Sequence, residues 1–252
     1  QGASIRELVD NKVLHPHMSN LVPYERVYGH QEIAMRAIVS GRTTLVSTGT
    51  GSGKTEGFLY PIISRCLTLR DEQVLPGIIS IIVYPMNALA EDQLLRIRGL
   101  LAGSRVPFAM YVGKTPERRA DVTGERLPGG SSGADYEHAL ARARRENRSV
   151  AVHPAEERCS REEIRTPGLQ PRILLTNVKQ LELLLTRQSD IELFAGAQLE
   201  FLVFDEAHTY SGSAGAETAC LIRRLRSFCG RSADETVCVA TSATLTDRER
   251  RE

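Results

Sequence analysis

Tryptophan is absent from this chain of 252 residues, and aromatic side chains make up only 5% of it. Stacking of bases on aromatic rings is therefore a poor candidate for the main binding mode. No apolar run is long enough to span a bilayer and no secretory leader precedes the first element, so no membrane role is expected and a cytoplasmic location is. Charge of one sign is not in excess either. The formal net charge is +1, so any nucleic-acid contact has to come from a local surface rather than from the field of the whole molecule. Five cysteines (Cys66, Cys159, Cys220, Cys229, Cys238), an odd number with no C-x-x-C pair, argue against a zinc ribbon or a disulfide framework and for reduced thiols. The chain opens on Gln1 rather than Met, which is expected of an internal fragment.

What the sequence does contain is concentrated in residues 43–58, TTLVSTGTGSGKTEGF. A β-branched apolar run leads into Gly49, Gly51 and Gly53, then Lys54, Thr55 and a helix-compatible segment. Strand, glycine-rich loop and helix in that order form a phosphate cradle, because the curled backbone aims consecutive N–H groups inward and the helix N-terminus adds more. Thr48, Gly49, Thr50, Gly51, Ser52, Gly53, Lys54 and Thr55 are the candidate nucleotide-binding residues. Lys54, expected to face a solvent-filled loop, would neutralise the β/γ-phosphates, and the Thr55 hydroxyl would ligate Mg²⁺. The strict pattern G-x-x-x-x-G-K-[ST] wants glycine where this chain has Thr48. A plain glycine turn before a surface helix is the bland alternative, and it loses to a second half-site downstream.

That half-site is FLVFDEAH, Phe201 to His208. A buried-type strand ending in two carboxylates puts them at the carboxyl end of a sheet, where open α/β folds bind ligands. Asp205 is the candidate Mg²⁺ ligand and Glu206 the residue that polarises the attacking water, with Lys54 completing the catalytic set. Gln31 lies in the first turn of a helix just upstream of the loop strand. Its amide, with paired donor and acceptor, suits both edges of adenine.

Along the rest of the chain, residues 1–27 read as an approach segment with a short helix near Ser4 to Asn11. Ile33, Ala37 and Ile38 fall at helical spacing. A helix is predicted over Lys54–Leu69, a buried strand over Ile78–Pro85, and a helix opening at Asn87 with Leu89, Leu94, Ile97 and Leu101 on its core face. Strands at Phe108–Gly113, Arg172–Asn177, Phe201–Glu206 and Val237–Ala243 alternate with helices, the last from about Ala216 to Phe228. This implies a mostly parallel sheet with helices on both faces. Residues 114–170 are poor in apolar side chains, carry the tract Gly129–Gly133 and a charged helix from about Ala134 to Asn147, and read as a surface insertion. The arginines Arg142, Arg144, Arg145 and Arg148 at that helix's end are either a solvated face or a contact with nucleic acid or a partner domain.

Taken together, TGTGSGKT (Thr48 to Thr55 at its core), DEAH (Asp205 to His208) and TSAT (Thr241 to Thr244), in that order, resemble superfamily 2 helicases of the DExH type, in particular their first RecA-like domain, a P-loop NTPase fold. In that family the leading glycine of the first motif is commonly relaxed. YPMNALAEDQ (Tyr84 to Gln93) and LLTN (Leu174 to Asn177) are similar to the family's backbone-contacting motifs, and Gln31 to its adenine-reading glutamine. The resemblance implies ATP and Mg²⁺ as ligands and Asn87, Thr176 and Asn177 as nucleic-acid contacts. It implies that His208, Ser242 and Thr244 couple the nucleotide site to the strand-binding face. YPMNALA, ILLTN and DEAHTYSG further resemble a bacterial and fungal branch of DNA helicases of the MrfA repair type and the DISARM DrmA defence type, and the long insertion is closer to the defence side. The implied function is an ATP-dependent DNA helicase or translocase whose residues 28–252 are the ATP-binding domain. An ATP-gated clamp or sensor, or an RNA-directed motor, uses the same motifs. A second RecA-like domain carrying arginine fingers is not in this chain, so the chain alone is expected to hydrolyse ATP weakly or not at all; defence or repair proteins are further expected partners.

Overall fold

The computed structural model describes residues 2–49, 51–146, 151–194 and 197–243. In chain order its helices are α1 (Ile5–Asp10), α2 (Met18–Leu21), α3 (Gly29–Val39), α4 (Lys54–Asp71), α5 (Asn87–Leu101), α6 (Gly133–Arg145), α7 (Arg161–Arg165), α8 (Val178–Leu184), α9 (Gln188–Ile191) and α10 (Ser213–Phe228). The strands are β1 (Thr44–Ser47), β2 (Ser80–Tyr84), β3 (Phe108–Met110), β4 (Glu125–Arg126), β5 (Val152–His153), β6 (Glu157–Arg158), β7 (Ile173–Asn177), β8 (Phe201–Phe204) and β9 (Val237–Ser242).

Seven of these strands form one sheet in the order β1-β9-β8-β2-β7-β3-β6, and β4 pairs with β5 separately. Each described pairing in the large sheet is parallel. The reason is visible in β2, where successive side chains point to opposite faces and both faces are apolar. Ile82 and Tyr84 pack with α3, α4 and α5, whereas Ile81 and Val83 pack with α8 and α10. A strand with no polar face has to be covered on both sides, and parallel crossovers supply the helices that do so. Among the described residues no helix is long and apolar enough to cross a membrane.

α4 begins at Lys54 as the sequence implies and runs two residues further than Leu69, to Asp71. α5 buries Leu94, Ile97 and Leu101, with Leu89 partly buried against the same core. α3 differs from its reading. Its inward face is Ala34, Met35 and Ile38, while Ile33 is 72% exposed, because Met35 takes the position beside Ile38 that the spacing had given to Ile33. α10 starts at Ser213, so most of the small-residue stretch after the DEAH strand is already helix.

Residues 114–170 do not remain on the surface throughout. β4, β5 and α6 make a small subcore in which Tyr136, Ala139, Ala143 and Val152 meet Ala102 of the main body. β6 then pairs with β3 and extends the large sheet, and Ile164 of α7 is fully buried in the core that holds α8 and α10. A buried ion cluster welds this segment to α5. Arg98 grips Glu157 with two hydrogen bonds, Nε to Oε2 at 2.6 Å and Nη2 to Oε1 at 2.7 Å. His153 lies against both, with Nδ1 3.1 Å from Arg98 Nη2 and 3.0 Å from Glu157 Oε2. Its Nε2 donates to the Thr123 carbonyl at 3.0 Å. In the arginine cluster of α6, Arg142 is tied to Glu125, Arg144 and Arg145 are exposed, and Arg148 lies outside the described residues.

Candidate active site

β1, β9 and β8 are neighbours in the sheet, so the loop after β1 converges with the loops after β8 and β9, which follow it in the chain by 157 and 195 positions (204 − 47 and 242 − 47). Gly51, Ser52, Gly53, Lys54, Thr55, Glu56, Asp205 and Glu206 all line one cavity of about 540 Å³. Gln31 lies on its wall, as do Tyr24, Arg26 and Tyr28 from the segment ahead of α3 and Leu89, Gln93 and Arg96 from α5.

The loop is held ready by hydrogen bonds rather than left slack. His30 Nε2 donates to the Ser52 carbonyl at 2.9 Å and Gln31 Nε2 to the Gly53 carbonyl at 2.7 Å. The other end of the Gln31 amide accepts from the Tyr28 N–H at 2.7 Å, so this side chain joins the start of α3 to the loop. Glycine suits position 53 because its φ is 75°, a conformation that side chains disfavour. A Cβ there would also crowd the ends of two side chains, 2.5 Å from Gln31 Nε2 and 2.9 Å from Glu56 Oε2. Thr48, by contrast, has no positive φ, so its backbone conformation does not call for glycine. Its hydroxyl instead meets the Ser52 hydroxyl at 2.6 Å across the loop, and its N–H donates to the Ser242 carbonyl at 3.3 Å. Gly49 adjoins Thr48, and Thr50 lies outside the described residues.

Lys54 departs from the solvent-facing expectation. It is 8% exposed, and its ammonium folds back onto the carbonyls of Thr48 at 3.1 Å and Gly49 at 3.4 Å. These two carbonyls satisfy part of the hydrogen-bonding capacity of a buried cation.

Asp205 follows β8 and receives the Thr241 hydroxyl on Oδ1. Burial pushes its carboxyl above the usual aspartate range, the neighbouring Glu206 charge adds to this, and the Thr241 hydrogen bond and Lys54 oppose it. Among the described residues no cation forms an ion pair with it. A buried carboxylate in that condition fits a divalent cation, and Thr55 lines the same cavity. Glu206 adopts φ 50°, ψ 50°, a strained left-handed conformation for a side chain of this size. Its N–H donates to the Thr241 hydroxyl oxygen at 3.2 Å. Its Oε2 lies 3.3 Å from His208 Nδ1 in an ion contact, without an aligned hydrogen bond. The same His208 Nδ1 is 3.2 Å from the Ser242 hydroxyl. Thr244 lies outside the described residues.

Thr241 thus ties two carboxylate-bearing positions to the third motif, a role that sequence reasoning missed because only its position in TSAT hinted at it. Tyr24, Arg26, Tyr28, Glu56, Gln93 and Arg96 were missed as well; proximity to Gln31 or Lys54 in the sequence was the only signal for four of them.

Asn87 and Asn177 do not line this cavity. They line a second groove of about 610 Å³ with Met86, Lys179, Glu182 and Tyr210. Asn177 Nδ2 donates to Asn87 Oδ1 at 2.7 Å, and Asn177 Oδ1 caps α8 by accepting from the Gln180 N–H at 2.8 Å. Thr176 is a correction to the expected contact set. It is fully buried and its hydroxyl donates to the Tyr111 carbonyl at 2.7 Å, so the side chain locks β7 internally instead of presenting a donor to a ligand.

Fold and loop geometry together define a phosphate-loop nucleotide-binding α/β domain. The chain belongs to the DEAD/DEAH box helicase family, whose pattern it matches over residues 28–127 and 136–252. It is 32% identical to the Druantia protein DruE of Escherichia coli over 88% of this chain and 16% of that protein. It is 24% identical to the uncharacterized ATP-dependent helicase YprA of Bacillus subtilis, over 88% of this chain and 23% of that one. The chain therefore spans less than a quarter of the length of these relatives. The fold superposes on the DUF1998 helicase MrfA, solved bound to DNA and AMPPNP, with a TM-score of 0.62 and 22% identity over 94% of this chain and 27% of that chain.

Proposed function

We propose that this chain is the ATP-binding motor domain of an ATP-dependent DNA helicase or translocase serving phage defence or DNA repair. The observation that carries the reading is the convergence of Lys54, Thr55, Asp205 and Glu206 on one cavity. Lys54 exchanges the Thr48 and Gly49 carbonyls for the β/γ-phosphates when a triphosphate enters, so its positive charge is released onto the ligand. Thr55 and Asp205 would hold Mg²⁺, which would supply positive charge to the phosphates. Glu206, whose Oε2 has no hydrogen-bond donor, orients and deprotonates the attacking water. His30 and Gln31 keep the loop's amides facing inward. His208 and Ser242 carry the change at Glu206 towards the strand-binding face.

That face is the groove between α5 and α8. The hydrogen bond from Asn177 occupies the Asn87 acceptor and leaves the Asn87 NH₂ as a donor for phosphate. The start of α5 has no side-chain cap, so its first-turn N–H groups are further donors. Contacts of this kind position a strand without reading its sequence. The likeness to the MrfA helicase, solved bound to DNA, favours a DNA substrate, and a second RecA-like domain of the same protein would supply the charge that completes the transition state.

The test is made in the full-length protein. Glu206→Gln is expected to keep Mg–ATP affinity within about threefold while turnover falls by about 10³, the scale of losing general-base help. Lys54→Ala is expected to lose affinity by at least about 10-fold, and DNA is expected to stimulate wild-type turnover more than RNA of the same sequence. Undiminished turnover in a folded Lys54→Ala protein defeats the assignment, and DNA-stimulated turnover without strand displacement or translocation reassigns the motor as a clamp.

A further inference from the structure

Glu56 follows the metal-binding threonine immediately and is used by nothing in the mechanism above. It is 7% exposed and lies on the wall of the nucleotide cavity. One carboxylate oxygen, Oε1, is paired with Arg96 of α5. The other, Oε2, is buried without a hydrogen-bond partner. An acidic residue in the first turn of a helix is ordinarily explained by the positive end of the dipole, but that explanation calls for an exposed side chain. A buried carboxylate oxygen left unpaired is costly and calls for a donor. Gln93 Oε1, on the same cavity wall, is also buried without a partner. Two acceptors without donors therefore belong to residues that line one cavity.

The chemistry of the missing donor is constrained. A phosphate offers only acceptors and like charge, so the Glu56 oxygen repels that part of a nucleotide. The nucleoside half carries donors: the ribose hydroxyls and, in adenine, the exocyclic amine. The Glu56 Oε2 position is also close to Gln31, since both side chains crowd the same point above Gly53, 2.9 and 2.5 Å from it respectively. We propose that Glu56 is a specificity-determining residue which accepts a hydrogen bond from the nucleoside of the bound triphosphate through Oε2, while Arg96 fixes its carboxylate plane through Oε1. This rests on the nucleotide-site reading above and adds to it a residue that distinguishes one nucleoside from another.

The experiment measures calorimetric affinities of the full-length protein for Mg²⁺ complexes of ATP, 2′-deoxy-ATP, 3′-deoxy-ATP and purine riboside triphosphate, which lacks the exocyclic amine. The wild-type protein is expected to bind at least one of these analogues about 10-fold more weakly than ATP, the scale of one hydrogen bond to a charged group. That analogue identifies the donor as ribose hydroxyl or base amine. Glu56→Ala is expected to bring that ratio close to one. Arg96→Met, which removes the ion pair but keeps the carboxylate, is expected to retain at least half of the discrimination on a logarithmic scale, so the idea stays testable if Glu56→Ala fails to fold. Equal wild-type affinity for all four nucleotides overturns the proposal, as does discrimination that survives in Glu56→Ala or vanishes in Arg96→Met. Failure of the nucleotide site itself reads differently: the wild-type protein would bind no triphosphate, or Lys54→Ala would bind it unchanged.

Discussion

Replacing Arg98 by methionine removes the cation from a cluster in which it is 6% exposed and Glu157 3%. The bidentate pair is lost, and Glu157 is left facing only His153 in an interior that solvates charge poorly. Breaking a buried pair from one side typically costs about 3–5 kcal/mol, whereas replacing both partners with apolar groups of similar volume is often close to neutral. Arg98→Met is therefore expected to lose about 3–5 kcal/mol, a large share of the roughly 5–15 kcal/mol that holds a domain folded. Arg98→Met combined with Glu157→Leu is expected to recover most of that loss. The assay is urea unfolding of the chain followed by far-ultraviolet circular dichroism, because no tryptophan is available as a fluorescent probe. The pH dependence gives an independent check. Burial alone would raise the Glu157 carboxyl, but hydrogen bonds from His153 and Arg98 outweigh it and hold the carboxyl below its ordinary value of 4.5. A depressed acid contributes stability that is present above the unfolded value and is lost as pH falls through the folded one. Without Arg98 burial regains the upper hand and that contribution disappears, so the gap between wild type and Arg98→Met is expected to be widest near neutrality and to narrow below about pH 4.5. A single substitution costing less than about 1 kcal/mol, or a gap that stays flat from neutral to acid, refutes the reasoning.

Two further outcomes concern the site itself. Thr241→Val keeps the shape of a fully buried side chain but removes the hydroxyl shared by Asp205 and the Glu206 N–H; turnover in the full-length protein is expected to fall about 10- to 100-fold, equivalent to about 1.4–2.7 kcal/mol of transition-state stabilisation. Gln31→Ala frees the Gly53 carbonyl and the Tyr28 N–H together, and titration with Mg–ATP is expected to show affinity about 5- to 30-fold weaker, the effect of about 1–2 kcal/mol of lost loop organisation. Unchanged kinetics in the first or unchanged affinity in the second would show that these bonds are incidental to function.

How much of this was legible in the sequence depended on the range of the interaction concerned. The strand ahead of the glycine loop, the apolar run of β2 and the strand that delivers Asp205 carry their signals in consecutive residues, and each lies where its pattern implies. The joining of β6 to the large sheet left no such trace. A strand of two residues, Glu157–Arg158, has no periodicity to read, and both residues are charged. Its place is secured by Arg98, which is 59 positions away. Thr176 misled for the converse reason, since a short polar side chain at a strand end looks the same in sequence whether it faces a ligand or a neighbouring carbonyl. That position 48 does not call for glycine was legible only once its backbone conformation was known.

α5 has its first turn in the groove assigned to the nucleic-acid strand and places Gln93 and Arg96 on the wall of the nucleotide cavity. At 1.5 Å per residue, the nine steps from Asn87 to Arg96 span about 14 Å along a single uninterrupted rod. Such a rod cannot be tugged at one end and remain still at the other. On the proposed reading, whatever enters or leaves beside Glu56 would be felt in the groove through the stiffness of hydrogen-bonded backbone, and a glycine pair inserted midway along α5 is expected to leave both ends able to bind yet deaf to each other.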